Sequence, residues 1–329
     1  MRRNPTAPRS CAAEAIQAYV DYKRALKRRF RTEEKTLQLL NRFLFERAVE
    51  RVEDIGPDLI GEFLASRPRA RPRSYNHLLG VVRGFFAWMV VQRQLSSSPV
   101  RATPRRATIR RLPFLFTPDQ ARCLLDAAAS LPDNKRAPCR GATYRTIFGL
   151  LYGLGLRVGE ISRLCCKDVD LKRRLLVIRE TKFSKSRLVP FGPRIAEMLE
   201  QYLGLQTLRG RALLPETPVF SFRAGEPIHP GTISQTFHHL WPRLGFTLLA
   251  GVDPPRVHDL RHAFAVGTLL RWYREGIDPS TRLLHLSTFL GHVNPTSTAV
   301  YLTITAELLD EASHRFEQLA QSSVTRVLT

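Results

Sequence analysis

The sequence predicts a mainly α-helical protein with one small β-sheet, an α+β chain built as two domains. Three observations carry this expectation. Apolar residues recur at three- and four-residue spacing along most of the chain, as in helices that bury one face. Strand-like runs are short and fall around Leu175–Val189 and at Val219-Phe220. A stretch rich in Ser, Arg, Thr and Pro between Ser96 and Arg111 interrupts the helical pattern, and 329 residues suffice for a separate core on either side of it. We therefore expect a helical domain over residues 1–100, a basic linker over 101–114, and a second domain over 115–329 that ends in a tail helix.

In the first domain, Ala15, Ile16, Tyr19, Val20, Tyr22 and Leu26 mark one apolar face within Ala12–Phe30. Leu37, Leu39, Leu40, Phe43 and Leu44 do the same within Thr36–Val49. Pro57 opens a short third helix through Ala65, and Leu78, Val82, Phe85, Phe86 and Met89 line a fourth over Ser74–Gln92. Between the third and fourth runs Arg67-Pro-Arg-Ala-Arg-Pro-Arg73, whose two prolines oppose a regular helix and whose four arginines suit phosphate contact.

The second domain opens at Thr117-Pro118-Asp119, with Thr117 a good N-cap and Pro118 a good first helical residue. Helices are expected over Pro118–Ser130, Thr143–Tyr152 and Val158–Cys166. Strands follow over Leu175–Arg179 and Arg187–Val189, joined by Glu180–Ser186. Then come a helix over Pro193–Gln206, a short strand at Val219-Phe220, and helices over Gly231–Leu244, Asp259–Glu275 and Thr281–Leu290. The chain finishes with Thr296–Leu302 and a tail helix over Ala306–Gln321.

Lys and Arg number 51 against 29 Asp and Glu, a formal net charge of +22. So large an excess calls for a polyanionic partner, and nucleic acid is the usual one. Residues 1–112 hold 24 of the basic residues against 10 acidic ones, which makes the first domain the stronger electrostatic clamp. Five cysteines, Cys11, Cys123, Cys139, Cys165 and Cys166, form no CxxC pair; they read as reduced thiols packed as small hydrophobes, with Cys165 and Cys166 adjacent in a helical pattern. No apolar run reaches membrane-spanning length, and Met1–Ser10 is basic without a following apolar stretch, so a cytoplasmic, nucleoid-associated protein is expected.

Cleaving a DNA strand without a metal takes a nucleophile, cations for the charge that builds on phosphorus, and an acid for the leaving oxygen. Three segments offer these groups. In Leu154-Gly-Leu-Arg157-Val-Gly-Glu160, two glycines break one helix and set Arg157 at the start of the next, where its planar fork suits a phosphate. In His258-Asp-Leu-Arg261-His262, residues three apart lie on one helix face, so His258 and Arg261 address one ligand. In Leu290-Gly-His292, Gly291 ends a helix and presents His292 on a turn, and Tyr301 follows nine residues later. Singly each has a plain structural reading: a helix-start arginine beside an acid, a capping histidine, a core tyrosine.

Their order and spacing together are far more specific. Gly-Leu-Arg, Lys, His-x-Leu-Arg-His, Leu-Gly-His and a tyrosine nine residues on all stand within residues 154–301, and the chain thereby resembles the tyrosine recombinase (phage integrase) family. The helical first domain is similar to the family's core-binding domain, by architecture rather than by motif. The resemblance implies a site-specific DNA recombinase with catalytic residues Arg157, Lys182, His258, Arg261, His292 and Tyr301. Lys182 falls where the family carries its catalytic lysine, on a β-hairpin, with Lys185 a near alternative. It further implies double-stranded recombination sites as substrate, a homo-tetramer on DNA, partner recombinases or DNA-bending accessory proteins, and neither metal nor other cofactor. One departure is the stretch from Arg261 to Leu290, longer than in the compact Xer-type enzymes by residues around Trp272–Leu286 and read as a subfamily insertion of the transposon-borne kind. A type IB topoisomerase-like relaxing activity and a catalytically silent DNA-binding regulator are the competing readings.

Overall fold

The computed structural model describes residues 9–28, 30–106, 113–179, 186–223, 225–248, 252–292, 294 and 296–303. Lys182, Lys185, part of the expected linker and the expected tail helix over 306–321 lie outside the described residues. The chain divides into two units, Met1–Arg110 and Arg111–Thr329, each with its own core. Among the described residues no helix is long and apolar enough to cross a membrane.

Among the described residues the first unit holds four α-helices, α1 (Ala13–Ala25), α2 (Arg31–Glu46), α3 (Pro57–Ala65) and α4 (Pro72–Val91). Ile16, Tyr19 and Val20 of α1 meet Leu37, Leu40 and Phe43 of α2, Ile60 and Phe63 of α3, and Phe85, Phe86 and Met89 of α4 in one core. Two expected core residues are not in it: Tyr22 is 44% exposed, and Leu26, past the end of α1 at Ala25, is 52% exposed. Tyr22 instead stacks on Trp88 and carries Lys23 over its ring. The arginine-rich connector is also shorter than expected. Pro72 starts α4 rather than opposing it, since a first-turn proline gives up a donor that has no helical partner.

In the second unit, α5 (Pro118–Ala129) begins with a reciprocal cap. Gln120 N–H donates to Thr117 Oγ1 at 3.2 Å and Thr117 N–H donates to Gln120 Oε1 at 3.1 Å. The buried α6 (Arg140–Leu154) runs through the core and leads into the five-residue α7 (Val158–Ser162). A three-stranded antiparallel sheet follows in the order β1 (Val169–Asp170), β2 (Leu175–Ile178), β3 (Arg187–Pro190), with Ile178 paired to Arg187 at its far end. Then come α8 (Pro193–Leu208), α9 (Pro230–Leu240), α10 (Asp259–Arg274), α11 (Pro279–Leu290) and α12 (Thr296–Ala299), with a 3-10 turn over Val300–Thr303.

Two expectations fail together here, for one reason. The helix expected over 158–166 stops at Ser162, so Cys165 and Cys166 are not on it, and Val219 and Phe220 form no regular strand. The backbones of the two segments pair with each other instead: Cys166 N–H donates to Thr217 O, and Val219 N–H donates to Leu164 O. That single-rung pairing diverts the chain from the helix and is too short to count as sheet. The cysteines are all free, and Cys123 is exposed rather than packed inside.

Candidate active site

The first turn of the site is made by Gly155, which ends α6 at φ +59°. A Cβ there would sit 2.5 Å from the Phe264 ring, so glycine is required both by the backbone and by the packing. The chain leaves this turn extended at Arg157, the residue that caps α7, and the Arg157 side chain is left 31% exposed. Glu160, one turn into α7, is buried; it accepts from Arg157 N–H at 2.9 Å and from its Nη1 at 2.8 Å.

The second turn is Gly291 at φ +68°, the cap of α11. The last carbonyls of a helix have no partner within it. Here three consecutive ones are each taken by a different arginine: Arg187 Nε donates to Phe289 O at 2.7 Å, Arg261 Nη2 to Leu290 O at 2.7 Å, and Arg157 Nη2 to Gly291 O at 2.8 Å. The negative end of the helix dipole meets three positive charges, which is the favourable sense. Arg261 is 1% exposed and also donates to Gly155 O at 2.6 Å, so one guanidinium ties both glycine turns together. Arg187 completes the lock with a two-pronged ion pair to Glu160, both bonds at 2.9 Å.

The third element is the start of α10, where His258, Arg261 and His262 share a face. His258 and His262 meet edge to face at 4.8 Å between ring centres. His262 Nδ1 lies 2.8 Å from the Tyr301 hydroxyl, and its Nε2 lies 3.8 Å from the buried Asp259 carboxylate. Tyr301, 4% exposed, packs in a small core with Ala265, Leu269 and Leu290. His292 stacks parallel to it at 6.4 Å and is itself held by Thr298, its Nδ1 2.7 Å from Thr298 Oγ1.

The charge state follows from this packing. Burial would raise the Glu160 carboxyl, but its hydrogen bonds and ion pairs with Arg187 and Arg157 win and bring it down to about 2. Burial lowers Arg261 to about 9, helped by the nearby Arg157 charge. His258, although open on one side, is lowered to about 4 by loss of solvation and by His262 and Arg261. His292 is lowered to about 4 by loss of solvation and then by Arg261 and Arg157. At neutral pH the site therefore presents a positive Arg261 beside the neutral imidazoles of His258 and His292.

Of the six residues singled out from the sequence, five come together through these contacts: Arg157, His258, Arg261, His292 and Tyr301. Lys182 lies outside the described residues, but the strands on either side of it are anchored to the site by Arg187. Two residues were missed. Arg187 carried no signal beyond its place in a strand. His262 did: it stands four residues after His258 and three after Asp259, so all three share one helix face.

Residues 115–307 match the sequence profile of the phage integrase family, and the integrase/recombinase-type protein y4rB of Sinorhizobium fredii is 34% identical over 93% of this chain and 96% of its own length. The chain belongs to the phage integrase family. It is thus a tyrosine-type site-specific DNA recombinase. Tyrosine recombinase XerD of Pseudomonas putida is 31% identical over 84% of this chain and 86% of that protein. Among solved structures, a lambda integrase dimer bound to a COC′ core site has the same fold, with a TM-score of 0.62 and 20% identity, covering 88% of this chain and 76% of that one. The Tn1549 transposon integrase in complex with transposon right-end DNA matches with a TM-score of 0.66 and 16% identity over 93% of this chain and 98% of that one.

Proposed function

We propose that this recombinase cleaves and rejoins DNA through Tyr301, which attacks the scissile phosphorus in line to leave a 3′-phosphotyrosyl link and a free 5′-hydroxyl. The observation that carries this reading is that the Tyr301 hydroxyl reaches the same cluster on which Arg157, His258, Arg261 and His292 converge. Arg157, partly open to solvent, offers its fork to a non-bridging oxygen, and Arg261 adds its charge from directly behind. His258 and His292, neutral at pH 7, serve proton transfer and hydrogen bonding to the phosphate. Lys182, on the connection between β2 and β3, protonates the leaving 5′-oxygen, with Lys185 its alternative. The phosphotyrosyl link conserves the bond energy, so the partner strand's 5′-hydroxyl completes exchange without ATP or a metal.

Exchange between two duplexes uses four such sites, so we place four copies on a pair of recombination sites in the cytoplasm, serving integration, excision or transposition of an element. The first unit, which holds most of the excess positive charge, clamps the duplex. DNA-bending proteins or partner recombinases assist assembly. The test is recovery of covalent protein–DNA adducts under denaturing conditions, comparing wild type with Tyr301→Phe. Adducts from wild type that vanish in Tyr301→Phe are expected, and sequencing them gives the site. Adducts that persist in Tyr301→Phe move the nucleophile elsewhere. No adduct from wild type even on nicked suicide duplexes replaces this reading with that of a silent DNA-binding regulator.

A further inference from the structure

His262 lies within hydrogen-bond distance of the proposed nucleophile. Its Nδ1 stands 2.8 Å from the Tyr301 hydroxyl, with ring centres 5.4 Å apart. On its far side, Nε2 faces the carboxylate of Asp259 at 3.8 Å. Asp259 is fully buried and fixed by Arg256, whose N–H and Nη2 donate to its two oxygens at 2.8 and 2.9 Å. A carboxylate beside Nε2 favours the tautomer that carries hydrogen there, and so leaves the Nδ1 lone pair facing the phenol. Carboxylate, imidazole and hydroxyl thus stand in the order that activates a nucleophile in acyl-transfer enzymes, with a phenol in place of a serine.

Resting on the function proposed above, we propose that His262 is the proton acceptor for Tyr301. As Tyr301 Oη forms its bond to phosphorus, the phenolic proton passes to His262 Nδ1, the P–O5′ bond breaks, and the 5′-oxygen takes its proton from the acid of the site. The imidazolium left behind is stabilised by Asp259, and in rejoining the proton returns to the phenol. The groups around His262 suit this role. Asp259 is the near negative charge, and His258, Arg261 and Arg256 belong to α10 or the residues just before it. His292 and Tyr301 face it from beyond α11, Arg157 lies at the start of α7, and Glu160 and Arg187 sit behind Arg261. Those surrounding cations also favour the phenolate over the phenol once the proton has left. The other two histidines have their own surroundings: His292 Nδ1 is engaged by Thr298, and His258 reaches His262 only edge-on.

The experiment uses the full chain and a nicked suicide duplex built from the site recovered in the adducts, measuring single-turnover adduct formation between pH 5.5 and 9.5. A positioned general base contributes roughly 10²–10⁴-fold, so His262→Ala at pH 7 is expected to lose on the order of 100-fold or more. Its rate should then climb with pH toward the phenol's own ionisation instead of levelling off. Fluorotyrosine at position 301, a more acidic phenol, should recover His262→Ala more than it changes wild type. His262→Asn keeps a hydrogen-bond acceptor near the Nδ1 position but no base, and should be slow with the same altered pH profile; it decides the matter if the alanine variant does not fold. A His262→Asn or His262→Ala rate with the wild-type pH profile and no gain from fluorotyrosine overturns the proposal. Wild type that forms no adduct at all defeats the recombinase reading itself, which is a separate result.

Discussion

Three arginines meet three consecutive carbonyls at the end of α11, whereas Tyr301, ten residues further on, sets its hydroxyl 2.8 Å from His262 Nδ1. The two halves of the site are built differently. On the arginine side, Glu160, Arg157, Arg187 and Arg261 cross-link two glycine turns, a strand and a helix end, and each guanidinium has at least two acceptors. On the histidine–tyrosine side, His262 Nδ1 lies 2.8 Å from the Tyr301 hydroxyl and His292 Nδ1 2.7 Å from Thr298 Oγ1. Redundant, charged contacts fix a shape; ring-to-hydroxyl hydrogen bonds hold a group that must part from its partner. That division suits a reaction in which the phosphate is held still while the nucleophile changes its bonding.

The comparison is broken most severely at Glu160, the shared acceptor of Arg157 and Arg187. Removing one partner of a buried ion pair costs about 3–5 kcal/mol, because the remaining charge stays buried without its counterpart. Glu160→Gln should therefore lower the unfolding free energy of the second unit, read from chemical denaturation, by an amount in that range. Pairing it with Arg187→Met removes the orphaned charge and should restore a large part of the loss. A Glu160→Gln protein as stable as wild type would mean that the arginine side is not the rigid half.

That cluster also marks the limit of what the sequence disclosed. Glycines at 155 and 291, the i, i+3 relation of His258 to Arg261, and the nine-residue step to Tyr301 are local patterns, and local patterns survive translation into structure. Helix starts at Pro57 and Pro118 were legible for the same reason. The Arg187–Glu160 pair spans 27 residues and the His262–Tyr301 contact 39, and no periodicity encodes a partner at such distance. The end of α7 and the lost strand at Val219 and Phe220 fail likewise, since each is decided by backbone pairing with a segment some fifty residues away. The site's residue types were readable; its wiring was not.

A pH titration of stability separates the two halves without any substitution. His258 and His292 have folded pKa values of about 4 against an ordinary 6.5. Between those limits the unfolded chain binds protons that the folded chain refuses, so stability is full above pH 6.5 and falls as pH drops toward 4. Glu160 is held at about 2 against an ordinary 4.5, so its contribution is full above pH 4.5 and is lost only as pH falls toward 2. Thermal melts of the DNA-free protein should show Tm declining first through the histidine window, before the Glu160 pair is challenged. The double variant His258→Asn, His292→Asn should flatten the decline between pH 6.5 and 4. A decline that remains unchanged in that variant would assign acid sensitivity to groups elsewhere.

The smallest effect is expected at Thr298, and it sharpens the comparison because it touches a hydrogen bond of the histidine side. Thr298 is fully buried, and its hydroxyl lies 2.7 Å from His292 Nδ1. The His292 backbone is held independently, its N–H donating to Ser287 O at 2.9 Å, so the turn itself does not depend on the threonine. Thr298→Val keeps the branched shape and removes only the hydroxyl. A net hydrogen bond of this kind contributes about 1 kcal/mol, and the variant should lose about that much stability with the fold intact. Its cleavage rate should fall only several-fold, since the ring still stacks beside Tyr301 while losing its bond to Thr298. Single-turnover cleavage measured beside the denaturation midpoint tests both parts. A variant indistinguishable from wild type in both would show His292 to be held as redundantly as the arginines, and the division between the two halves would then fall between His292 and Tyr301 rather than at the Gly291 turn.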